Sequence, residues 1–128
     1  MVTSSLTGKL TEDGETLLKA PDAANVPVDA AFCFYFPEEG FWKLMLSFQG
    51  IEKEGPKAAY ATIQKALLGI PEEHRLAHDD VAIAKKDAPL VQLLRVAIRT
   101  APGISGIRFS NNVINGQLIA DAHIYRLT

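Results

Sequence analysis

Residues 107–125 read IRFSNNVINGQLIADAHIY, and this stretch decides the fold because it predicts a β-hairpin whose register can be worked out. Asn115-Gly116 is a strong two-residue turn signal, since both turn positions need a positive φ. Pairing outward from this turn places Arg108 opposite His123. A slip by one residue would mix apolar and polar side chains on each face, so the pattern favours this register.

This register divides the hairpin into one apolar face that must pack and one polar face that could carry chemistry. Side chains alternate between the two faces of a strand, so the assignment follows from the register alone. The apolar face is predicted to hold Ile107, Phe109, Val113, Leu118, Ala122 and Ile124, and the polar face to hold Arg108, Ser110, Asn112, Asp121, His123 and Tyr125.

A second hairpin is predicted over residues 28–49, with Pro37-Glu38-Glu39-Gly40 as its turn. Its strands are largely apolar on both faces, whereas an antiparallel hairpin normally shows one polar face to water. We therefore expect helices to cover one face of this hairpin. A partner subunit or a ligand cavity would cover the other.

Helices are predicted at about 56–69 and 88–100 from apolar residues at helical spacing. In the second helix the apolar face holds Leu90, Leu93, Leu94, Ala97 and Ile98, and the residues that point away from it are Gln92, Arg95 and Arg99. Gly55-Pro56 opens the first helix, and Asp87 is the expected N-cap of the second. The fold class is therefore α+β: a mainly antiparallel sheet built from hairpins at 28–49 and 104–127, with both helices packed on one face. Within the N-terminal part of the chain, residues 1–27, a small hairpin is expected over Gly8 to Lys19, with Asp13-Gly14 as its turn.

The composition predicts one domain over residues 1–128, which is long enough to bury a core of its own. A net charge of -2 and a pI near 5.9 argue against nucleic acid and anionic membranes as partners. A single cysteine and the lack of a signal peptide favour the cytoplasm. No nucleotide, phosphate-loop or paired-cysteine motif is present in the sequence, so no cofactor is expected.

The polar hairpin face supplies the candidate catalytic residues. Arg108 could hold an anion, His123 could act as an acid or base near neutral pH, and Asp121 could orient either of them. Tyr125 completes the set. The alternative interpretation is a solvated sheet face, which needs the same alternation of polar side chains.

Two further groups are candidates for binding. Phe34, Tyr35 and Trp42 belong to a dense aromatic segment that suits either a core or an apolar ligand cavity. His74 and His78 are four residues apart, and on a helix they would share a face with a spacing that suits a divalent metal. Such pairs also arise by chance, and no metal is assigned to them.

Three functions are consistent with these features. The first is a small, soluble, homo-oligomeric protein without a catalytic motif that acts in protein interaction or binds a small apolar or anionic molecule. The second is an isomerase or hydrolase that uses Arg108, Asp121 and His123 beside an aromatic cavity. The third is a metal-binding protein built on His74 and His78. The sequence leaves open whether the chain is an enzyme.

The expected core consists of the apolar residues of the two hairpins and the two helices: Phe32, Phe34, Leu44, Leu46, Ile63, Leu67, Leu94, Ile98, Ile107 and Ile124.

Overall fold

A computed structural model describes residues 8–23, 28–48, 51–85 and 87–128 of the protein. These residues form a five-stranded sheet in the order β3-β2-β1-β5-β4, in which only the short β2–β3 pair is parallel. The predicted α+β class with a mainly antiparallel sheet is confirmed. The elements are α1 Gly8–Ala23, β1 Val28–Phe36, β2 Phe41–Phe48, α2 Ile51–Leu68, β3 Val81–Ile83, α3 Pro89–Ala97, β4 Ile107–Ile114 and β5 Gln117–Leu127, with short 3-10 turns at Glu72–His74 and His78–Asp80.

Both predicted hairpins form with the predicted registers. Arg108 pairs with His123 in the β4–β5 hairpin, and Cys33 pairs with Leu44 in the β1–β2 hairpin. The β4–β5 turn is at Asn115-Gly116, where both residues have positive φ values, 48° and 81°. These conformations are those that a two-residue hairpin loop requires.

The sheet is covered on both faces by helices. Strand β1 directs Cys33 to the face that α1 and α2 cover, and it directs Phe32 to the face that α3 covers. The expectation that both predicted helices lie on one face is corrected, because α2 and α3 pack on opposite faces. The reason is the apolar character of β1 on both sides, which requires cover on each.

The N-terminal hairpin prediction is wrong, because residues 8–23 form helix α1. Asp13-Gly14 was interpreted as a turn, but Gly14 lies inside the helix. Leu17 and Leu18 are buried there against the sheet, with exposed fractions of 1% and 0%. Helical spacing of the leucines, rather than the Asp-Gly pair, determines the local structure.

The ends of the two predicted helices follow from proline and glycine. Gly55 has φ 82° and kinks α2, so the regular helix begins after it, as predicted. Ala88, not Asp87, is the N-cap of α3, because a residue that precedes proline favours extended backbone. Helix α3 also ends earlier than predicted, with Ile98 extended. Within the described ranges, no helix combines the length and hydrophobicity that a membrane crossing requires.

The faces of the β4–β5 hairpin reverse near its turn, which the sequence did not predict. Val113 and Leu118 were expected to be packed, yet they are 65% and 63% exposed, while Ile114 and Ile119 are buried. The reversal coincides with Asn111, whose φ of 51° interrupts the regular twist of β4.

The expected core is otherwise close to the observed one. Ile98 is only partly buried, because it follows the end of α3, and Ile107 is 37% exposed at the start of the edge strand β4. The remaining eight residues of the expected core are buried: Phe32, Phe34, Leu44, Leu46, Ile63, Leu67, Leu94 and Ile124.

Replacing Leu94 with alanine should destabilise the fold strongly. Leu94 is fully buried on α3, so Leu94→Ala should cost roughly 2–5 kcal/mol through lost burial and the cavity left behind. The matched control is Val96→Ala, since Val96 lies on the same helix and is 63% exposed. Chemical denaturation measures both variants. Equal losses in the two would contradict the assignment of the buried face of α3.

Candidate functional site

The structure brings the four predicted catalytic residues together in a contiguous polar strip, defined here as Arg108, Asp121, His123 and Tyr125. Arg108 donates from Nε and Nη2 to the two carboxylate oxygens of Asp121. This bidentate hydrogen bonding raises the pKa of Arg108 above its ordinary value. The positive charge of Arg108 is therefore compensated within the strip.

His123 lies between the ion pair and Tyr125. It pairs directly with Arg108 across the strands, and its ring centroid is 4.8 Å from that of Tyr125 in an edge-on arrangement. Partial burial lowers the pKa of His123 below its ordinary value. The charge of Arg108 acts in the same direction, and Glu15 opposes it. The imidazole is therefore neutral at pH 7, with one nitrogen able to accept a proton.

Tyr125 is a structural member of the strip. Its side chain is fully buried, and its hydroxyl donates to the carbonyl oxygen of Thr11 in α1 at 2.7 Å. The sulfur of Cys33 lies 3.6 Å from the same hydroxyl oxygen. Burial raises the pKa of Tyr125, and burial also raises the pKa of Cys33 to about 11. Both groups therefore stay protonated near neutral pH, and the hydroxyl of Tyr125 links α1 to the sheet.

An irregularity in strand pairing places Tyr125 where it can reach α1. Ala31 pairs with Arg126 and Phe32 pairs with Ile124, so Tyr125 is an extra residue in β5. Such a β-bulge bends the strand and redirects its side chains. The sequence carries no signal for this bulge.

The predicted ligand-binding aromatics do not form one cavity. Tyr35 and Trp42 stack at 5.4 Å between ring centroids, and Arg108 Cζ lies 6.0 Å from the Trp42 ring centroid. Phe34 faces the other side of the sheet, among the residues that α3 covers. The aromatic cavity expected beside Arg108 is therefore split between two faces, because β1 alternates Phe34 and Tyr35.

The chain has a second candidate site, an apolar groove of about 670 Å³ between α3 and the ends of both hairpins. Its floor includes Phe34 and Ile119, which are buried, and Phe36, whose ring centroid lies 5.0 Å from that of Phe34. The residues that line the groove are Phe34, Phe36, Pro37, Glu38, Glu39, Pro89, Leu90, Gln92, Leu93, Val96, Asn115, Gln117, Leu118 and Ile119.

Sequence reasoning found only Phe34 of this groove. One signal was available: Leu90 and Leu93 both belong to the predicted apolar stripe of α3, yet both remain only partly buried. The other wall depends on Leu118, which was assigned to the packed face. Its exposure follows from the face reversal near Asn111, which the alternation rule does not predict.

The two histidines proposed as metal ligands, His74 and His78, do not lie on one face of a helix. His74 and His78 lie in separate 3-10 turns, because Arg75 between them is extended. His74 Nδ1 is 3.9 Å from a carboxylate oxygen of Asp13 in α1. Among the described residues, no group of three or more His, Cys, Asp and Glu side chains could hold a metal ion.

Two buried arginines were also missed. Arg95 was expected to point away from the apolar face of α3. It is nevertheless only 8% exposed, and its Nη2 donates to the carbonyl oxygen of Asp29 at 3.4 Å. Arg126 is 5% exposed, and its Nη1 donates to the carbonyl oxygen of Val28 at 3.0 Å. Both guanidinium groups bind backbone carbonyls near the start of β1, which gives them a structural role.

Gly14 and Tyr125 should be energetically coupled. A Cβ added at Gly14 would overlap the Tyr125 hydroxyl oxygen, so Gly14→Ala should cost roughly 1–3 kcal/mol of stability. Without that overlap, alanine would be favoured in a helix by roughly 0.5–1 kcal/mol. We expect Gly14→Ala to cost less in a Tyr125→Phe background, which a double-mutant cycle measures by denaturation. Additive losses would contradict the close approach of α1 to Tyr125.

His123 should titrate below the ordinary histidine pKa of about 6.5. The unfolded chain then binds more protons than the folded chain between the two pKa values. Stability should therefore fall as the pH drops from about 6.5 through the folded-state pKa, and level off below it. NMR titration of the His123 ring measures the shift, and Arg108→Gln should raise this pKa by removing the positive neighbour. A midpoint at or above about 6.5 would contradict the partly buried environment.

Comparison with known proteins finds no relative from which a function could be proposed. No family model, no curated protein and no solved structure matches the chain. The function must therefore be inferred from the polar strip and the apolar groove themselves.

Proposed function

We propose that this chain is a small-molecule-binding protein that takes an apolar ligand into the groove between α3 and the two hairpin ends. The observation that carries the proposal is the groove itself, at about 670 Å³. Ligand pockets are typically about 300–1,000 Å³, mostly apolar, with a few polar groups that fix orientation. Here the polar groups are the side-chain amides of Gln92, Asn115 and Gln117.

The mouth of the groove supports a ligand with an apolar body. Val96 on α3 and Leu118 on β5 both line the groove, and each is 63% exposed. Burying apolar surface contributes roughly 25 cal/mol per Å². A ligand that covers both side chains would gain this free energy without rearranging the floor.

The homo-oligomer part of the hypothesis stays a prediction, and its original reason no longer applies. It depended on one sheet face lacking cover within the chain. Helices α1 and α2 cover one face and α3 covers the other. The exposed apolar side chains that line the groove, Val96 and Leu118, are one surface on which a second copy could dock.

A second candidate is an enzyme of the isomerase or hydrolase type that uses the polar strip. One observation favours it: His123 is partly buried and neutral, next to Arg108 and Asp121. Compensation of Arg108 by Asp121 weakens the case for an anionic substrate there. If the polar strip is catalytic, His123→Gln should abolish turnover of the substrate. The same substitution should leave the binding of an apolar probe in the groove unchanged, and this difference separates the two candidates.

Leu118 and Val113 provide a matched test of the groove. They pair across the β4–β5 hairpin and are similarly exposed, but only Leu118 lines the groove. Binding of the neutral probe N-phenylnaphthylamine, measured by fluorescence, should weaken about five- to tenfold in Leu118→Gln. A contact that buries much of a leucine contributes about 1–1.4 kcal/mol, which corresponds to this factor.

The control variant Val113→Gln should bind the probe like the unmodified chain. Equal weakening in both variants, or no binding by the unmodified chain, would overturn the proposal. Light scattering tests the alternative that a second copy of this chain occupies the groove. A dimer that binds no probe, and that dissociates in Leu118→Gln only, would make the groove an interface between copies.

A further inference from the structure

The charges around the apolar groove have one sign. Glu38 and Glu39 both line it and are exposed at the β1–β2 turn. Among the lining residues that the structure describes, none is lysine, arginine or histidine. The groove therefore combines an apolar floor with two carboxylates at one end and neutral amides elsewhere.

The turn that carries the two glutamates has a defined backbone. The amide of Gly40 donates to the carbonyl oxygen of Phe36 at 2.8 Å, which closes the turn around Glu38 and Glu39. Gly40 has φ 75°, a conformation that glycine adopts without strain. This turn therefore holds the backbone of Glu38 and Glu39 close to Phe36, which lines the same groove.

Lys43 is a cation on this side of the sheet, since it pairs with Phe34 across β1 and β2. Its ammonium lies over the Phe41 ring, 5.5 Å from the ring centroid, and Lys43 does not line the groove. The charged side chains that line the groove at the β1–β2 end are Glu38 and Glu39, and both are negative.

Resting on the proposed function, we infer that the ligand of this groove is a cationic amphiphile: an apolar, aromatic or alkyl body with an ammonium-type group placed at Glu38 and Glu39. The apolar body covers Val96 and Leu118, and the positive group lies at the turn. An anionic ligand of the same shape is disfavoured, because its charge would be brought next to two carboxylates.

Three probes with the same aromatic body test the charge preference: naphthylmethylammonium, naphthylmethanol and naphthylacetate. Their affinities are measured by displacement of N-phenylnaphthylamine at low salt. Exposed ion pairs contribute up to about fivefold each, so the cation should bind roughly five- to tenfold more tightly than the neutral probe. The anion should bind most weakly. The preference should largely disappear in about 1 M salt, where the screening length is about 3 Å.

The double variant Glu38→Gln/Glu39→Gln should bring the cation-to-neutral affinity ratio close to one and leave the neutral affinity unchanged. The matched control is Glu72→Gln/Glu73→Gln, which removes two adjacent exposed glutamates outside the groove lining. This control should keep the ratio of the unmodified chain. It separates a local effect from a change in net charge.

The outcomes distinguish this inference from the function on which it rests. If the neutral probe binds and the cation shows no preference, or if the preference survives Glu38→Gln/Glu39→Gln, the inference is overturned and the groove still binds apolar molecules. If the control variant loses the preference equally, the effect is one of net charge, and the inference is overturned as well. If the neutral probe does not bind at all, the proposed function fails.

Discussion

The burial of β1 on both faces is the constraint on which the rest of the structure depends. A strand of this kind at the centre of the sheet cannot leave either side in water, so helices must pack on both. Helices α1 and α2 meet this requirement on the face of Cys33, and α3 meets it on the face of Phe32. The groove exists because the nine-residue α3 covers its face alone, leaving the hairpin ends beyond it open.

Local rules that depend on periodicity predicted much of the fold from sequence. The β4–β5 register was predicted from Asn115-Gly116 and the alternation of apolar and polar residues, and the turn and the register both reappear in the structure. The same rules failed for α1, because Gly14 was interpreted as a turn residue. Its lack of a Cβ instead makes room for the Tyr125 hydroxyl. That role depends on a contact between residues more than a hundred positions apart, which no local pattern contains.

The two candidate sites differ in how much of them the sequence contains. The polar strip is built from cross-strand neighbours, so one correct register assembles Arg108, Asp121 and His123. The groove combines α3 with two hairpin ends, and one of its walls exists only because the hairpin faces reverse near Asn111. A single left-handed residue thus coincides with the change that leaves Leu118 lining the groove rather than packed in a core. The asparagine fits this conformation, but the sequence alone does not show that it adopts it.

The polar strip and the groove also differ in how many existing contacts a bound molecule would have to break. In the polar strip, Arg108 and Asp121 are hydrogen-bonded to each other, and the Tyr125 hydroxyl donates to Thr11, so three of its four side chains already have hydrogen-bond partners. Binding a ligand there would first break contacts that stabilise the fold. In the groove, Val96 and Leu118 meet water, and covering them breaks no such contact. This comparison therefore favours the groove over the polar strip as the proposed binding site.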